Sequence, residues 1–65
     1  MKNGNNRTSA VVFDYSTPGE VTVTFISQTG RKSTNYDMTN FDDRMSLRGV
    51  IGAVIDSEIE FSCIR

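Results

Sequence analysis

Apolar and polar residues alternate one for one up to about Met38, recur at helical spacing from there to about Ile55, and alternate again from Glu58. Alternation sends successive side chains to opposite faces of a strand, whereas a 3.6-residue period gathers them on one side of a helix. The pattern predicts an α+β fold in the order βββαβ: an antiparallel three-stranded meander, one helix packed on one face of the sheet, and a C-terminal strand. Met1 to Thr8, polar and containing Asn-Gly-Asn-Asn, reads as a flexible N-terminal tail ahead of one small domain spanning residues 9–65.

In the first strand Val11, Phe13 and Tyr15 point inward, with Ala10, Val12, Asp14 and Ser16 outward; in the second, Val21, Val23 and Phe25 point inward. A two-residue hairpin loop centred on Thr29-Gly30 would pair Phe25 with Thr34, Val23 with Tyr36 and Val21 with Met38. Inward residues then meet inward residues. The first connection needs an odd loop, because a two-residue Pro18-Gly19 loop would set Tyr15 against Thr22. Thr17-Pro18-Gly19 and Pro18-Gly19-Glu20 both satisfy parity, and each places either Pro or Gly badly for a type I turn, so the choice stays open.

Thr39 and Asp42 have the spacing of a capping box, and Asp42 with Asp43 supplies negative charge to the start of a helix. Leu47, Val50, Ile51, Val54 and Ile55 fall on one side of that helix. Gly49 and Gly52 each cost it roughly 1 kcal/mol relative to Ala, which implies close approach to the sheet or to a partner, or else a break at Gly49. Asp56-Ser57 closes the helix. The last strand, Glu58 to Ile64, turns Ile59, Phe61 and Cys63 inward, and Phe13, Tyr15, Phe25, Tyr36 and Phe61 are expected to form the core.

Sixty-five residues bury only roughly 60% of the surface of the unfolded chain, which leaves room for a small core and none for a deep substrate cavity. A composition 37% hydrophobic and 23% charged is ordinary for a globular domain. The net charge of −1 gives no long-range attraction for phosphates or anionic lipid. The lone Cys63, the absence of a signal-like leader and the absence of a long apolar run lead us to expect a cytoplasmic protein without a membrane span. Asn6-Arg7-Thr8 matches a glycosylation sequon, which carries little weight without a secretion signal.

The chain has no histidine, and so lacks the usual general base and the commonest metal ligand. Cys63 reads as a small core residue and not as a nucleophile. Gly30-Arg31-Lys32-Ser33 is a hairpin tip: Lys32 is not preceded by Gly, and the earlier glycine of a phosphate loop is missing. No catalytic set, metal set or cofactor site is expected.

Outward positions instead collect Asp14, Asp37, Glu58 and Glu60, four of the eight acidic residues, beside Thr22, Thr24, Ser33 and Asn35. A flat sheet lacks the walls that would turn such carboxylates to sugar hydrolysis or cation binding. Their plainest role is solubility; the sharper one is a face for a basic protein surface, with Val12, Ile26 and Ile64 as apolar contacts among the charges. The same apolar residues make a homodimer an expectation.

Arg44 and Arg48, four apart, share a side of the helix, and with Arg31, Lys32, Lys2 and Arg7 they define the alternative, a nucleic-acid-binding module. Three strands followed by a helix also occur in some DNA-binding domains that lay the sheet in the major groove, but an acidic sheet face repels phosphates. Nucleic acid is thus the less favoured partner. The expectation is a small non-enzymatic regulator or inhibitor, of the kind carried by mobile genetic elements, that occludes a surface of a larger protein; a subunit of a homo-oligomeric assembly is the third possibility.

Overall fold

A computed structural model describes residues 8–65. Its elements are β1 (Thr8–Asp14), β2 (Glu20–Ser27), β3 (Gly30–Asp37), α1 (Phe41–Asp56) and β4 (Glu60–Ile64), the order expected. Residues 1–7, and with them most of the expected tail and of the sequon, lie outside the described residues, while Thr8 already belongs to β1. The sheet runs β3-β2-β1-β4, antiparallel throughout the meander and parallel between β1 and β4. A parallel partner cannot be reached by a hairpin, and α1 supplies the crossover.

The β1–β2 register sets Val11 against Phe25 and Phe13 against Val23, so inward residues meet as parity requires. The connection resolves the open choice. Glu20 donates its N–H to the Thr17 carbonyl at 3.2 Å, and Gly19 sits at φ 76. Pro18 and Gly19 therefore hold the second and third positions of a type II pattern, where both are favoured, and the conflict posed by a type I turn does not arise.

The second hairpin corrects the expected pairing. Its loop is Gln28-Thr29, with Ser27 opposite Gly30, so Phe25 pairs with Lys32, Val23 with Thr34 and Val21 with Tyr36. The register is displaced by two residues, the period of a strand, so every side chain keeps its face while changing its partner. The turn is closed by the Ser27 hydroxyl, which contacts Thr29 Oγ1 at 3.1 Å and donates to the Gly30 carbonyl at 3.2 Å. Gly30, at φ 142, serves as the first residue of β3 instead of the second loop residue.

Val11, Phe13, Val21, Val23, Leu47 and Val54 form the buried core, contributed by β1, β2 and α1. Phe25, Tyr36, Met38, Val50, Ile51 and Ile59 pack around it, half-buried. Coverage fades toward β4. Tyr15, Phe61 and Cys63 have the expected inward parity but are exposed, because β4 is an edge strand and the helix side chains close over the central pair. The expectation that these residues complete the core is corrected accordingly. Gly49 and Gly52 do not bring the helix onto the sheet either; a Cβ at each would meet nothing within 4 Å.

Both helix ends differ in detail from expectation. The N-cap is Asn40, whose Oδ1 accepts from the Asp43 N–H at 3.1 Å. Thr39 is turned away from that role because its N–H and hydroxyl both donate to Asp37 Oδ1, at 2.9 and 2.6 Å. At the other end Ile59 donates to the Val54 carbonyl at 3.2 Å and Glu58 to that of Ile55 at 3.1 Å. This is the bonding of a Schellman motif, with Glu58 at φ 57 in the place usually held by Gly. Glu58 thus belongs to the helix cap, and β4 begins two residues later.

Candidate protein-binding surfaces

On the outer face of the sheet the registers assemble three rows across all four strands: Arg31, Ile26, Ala10 and Glu60; Ser33, Thr24, Val12 and Ser62; Asn35, Thr22, Asp14 and Ile64. Glu20 and Asp37 form a shorter fourth row. Thr22 Oγ1 donates to Asn35 Oδ1 at 2.9 Å, and Thr24 and Ser33 share a hydroxyl bond at 2.9 Å. The middle of the face is a band of paired hydroxyl and amide groups, with Val12 and Ile26 half-buried within it and Ile64 exposed at its border.

Of the four carboxylates expected there, Asp14, Asp37 and Glu60 stand on the outer face and Glu58 does not. Asp14 Oδ1 accepts from the hydroxyl and N–H of Ser16 at 2.6 and 2.9 Å, and Asp37 makes the same pair of bonds with Thr39. The hydroxyl bond first, and the amide bond second, hold each carboxyl below its ordinary value of 3.8. Each of these groups uses its Oδ1 in a turn of its own chain. Glu58 lies off the sheet in the helix cap, so Glu60 alone of the four stands on the sheet free of such a turn. Glu20, directly opposite Asp37, was missed, although its position beside inward Val21 marks it as outward. Glu20, Asp37 and Asp43 border a shallow open depression, and among the described residues no three His, Cys, Asp or Glu side chains are placed to hold a metal ion.

The basic residues do not converge. Arg31 and Lys32 are consecutive in β3 and point to opposite faces, Arg31 beside Ile26 and Lys32 beside Phe25. Arg44 is fixed beyond the other end of that strand, roughly 20 Å away at 3.3 Å per residue, where it donates to the Met38 carbonyl at 3.1 Å and lies over the Phe41 ring at 5.9 Å. Arg48 shares the side of Arg44 and is exposed.

That side of α1 carries the largest exposed apolar groups on the helix: Phe41 is 65% exposed, Ile55 58% and Met45 49%. Phe41, Met45, Arg48, Gly52 and Ile55 succeed one another at intervals of four, three, four and three residues, the spacing of a helix seam built to face another surface. The core-facing side is a different set, Leu47, Val50, Ile51 and Val54. Ile55, expected on the core side, falls 100° beyond Val54 and turns outward. The outer seam was missed as a site, although its four-three spacing stands in the sequence.

The chain matches no family model, no curated protein and no solved structure. No helix among the described residues is long and apolar enough to cross a membrane.

Proposed function

We propose that this chain is a small non-enzymatic protein-binding module that regulates or inhibits a larger protein by covering part of its surface, with the outer seam of α1 as the contact. One observation carries this: Phe41, Met45 and Ile55 stand exposed in a single seam along the helix, beside the stripe of its core-facing residues. Isolated exposed apolar residues are normal on a protein, but several aligned along one helix are the anchors of helix-in-groove recognition. Gly52, with open space around it, lets a partner backbone come close at the middle of the seam. Arg48 stands within the seam and Arg44 beside it, which suits a partner groove that carries acidic groups.

The sheet face is the weaker surface for this purpose, since Asp14 and Asp37 are held by Ser16 and Thr39 and the central polar groups already pair with one another. Affinity capture from the native host identifies the partner, and a salt titration of the purified complex tests its class. A protein groove gives a shallow salt dependence. A slope equivalent to several released counterions would replace the proposal with nucleic-acid binding.

A further inference from the structure

The two edges of the sheet are protected unequally. β3 carries Arg31, Lys32 and Asp37 among small polar residues, the charged composition that keeps an edge from pairing. β4, Glu-Phe-Ser-Cys-Ile, is exposed along its whole length and has one charge, at its first residue. Tyr15 donates its N–H to the Ile64 carbonyl at 2.7 Å, so Glu60, Ser62 and Ile64 bond toward β1. The N–H and C=O groups of Phe61 and Cys63 therefore face the outer edge, which no strand among the described residues covers.

We infer that β4 pairs antiparallel with β4 of a second copy of this chain about a two-fold axis at Ser62, joining two four-stranded sheets into one of eight strands. In this register Phe61 lies opposite Cys63 of the other copy, and the free groups of both residues are used in both directions. The inner faces of the two sheets stay on one side. Charge selects this arrangement over a parallel one: β4 is preceded and opened by Glu58 and Glu60 and followed by Arg65. Antiparallel pairing sets Glu60 opposite Ile64 and Arg65 opposite Ile59 of the other copy, so that neither charge meets its like, whereas parallel pairing would stack Glu60 on Glu60 and Arg65 on Arg65. The exposed faces of Phe61 and Ile64 are partly covered in the same step.

The test is sedimentation equilibrium of the full chain from about 1 µM to about 1 mM, under reducing conditions. A concentration-dependent dimer is expected. Ser62→Lys places two lysines on the axis and should weaken it at least about tenfold, while the monomer keeps its fold because residue 62 is exposed. In a Cys63→Ser background, Ser62→Cys should give an intermolecular disulfide on oxidation, because a non-hydrogen-bonded pair holds Cα atoms within disulfide reach. A monomer throughout the range would overturn the inference. So would a dimer that withstands Ser62→Lys and forms no disulfide through residue 62, which would place the contact on another surface.

Discussion

Phe13 and Phe61 meet edge to face, their ring centroids 5.9 Å and their planes 79° apart, although Phe13 is buried and Phe61 is 52% exposed. The pair marks the border of the core, where β1 is closed over by α1 and β4 is not. Geometry of this kind is worth about 0.5 to 1.5 kcal/mol beyond area burial. Phe13→Ala should cost about 3 to 5 kcal/mol, as for a buried ring, and Phe61→Ala about 1 to 2 kcal/mol, by urea denaturation at low protein concentration. Equal costs would mean that Phe61 is covered in solution.

Glu58 holds a backbone conformation that a side chain disfavours, at the point where the chain leaves α1 for β4. Glu58→Gly should stabilise the fold by about 1 kcal/mol, with the same dependence on denaturant. A loss of stability would show that the side chain contributes more than the left-handed backbone costs.

Face assignments were legible in the sequence and partners were not, for one physical reason. A strand repeats every two residues, so Val21, Val23, Phe25, Thr34 and Tyr36 show which way they point, but a slip of two leaves that pattern intact. In the observed register the Ser27 hydroxyl donates to the Gly30 carbonyl, a bond with no signature in alternation. Thr39 and Asn40 offered two caps one residue apart, and the choice fell to Asn40 because Asp37 engages Thr39. How far one helix covers four strands has no signature in alternation, which is why Phe61 and Cys63 were expected inside. The outer seam of α1 escaped the sequence reading because Arg48 and Gly52 interrupt its apolar residues and Ile55 fell in with the core-side group.

Asp14 and Asp37 carry a pH dependence. Their carboxyls are lowered below 3.8 in the folded chain by the Ser16 and Thr39 hydroxyls, with the amides of the same residues adding to the effect. The unfolded chain therefore takes up these protons first as pH falls, and the stability they contribute is present above pH 3.8 and lost as pH drops through the lowered values. Carboxyl titration followed by NMR should show Ser16→Ala raising the midpoint of Asp14 and leaving Asp37 unchanged, and Thr39→Ala doing the reverse. Unaltered midpoints would remove the hydroxyls as the cause.

Gly52 separates folding from binding. With open space around it and a helical neighbourhood, Gly52→Ala should stabilise the isolated chain by about 1 kcal/mol, measured by denaturation. Against the captured partner the same change should weaken binding, because the added methyl group stands where the other backbone approaches. A variant that is more stable and binds as well as the parent would show that the partner does not reach this part of the helix.

The most direct test of the outer seam is the affinity of the captured partner, by titration calorimetry, for two double variants that leave the core untouched. Phe41→Ala with Ile55→Ala removes both ends of the seam, and Val12→Thr with Glu60→Lys alters the sheet face. If the helix seam is the contact, the first should lose at least about thirtyfold in affinity, as hot-spot residues do, and the second less than about threefold. Full affinity in the seam variant, with loss confined to the sheet-face variant, would contradict the assignment.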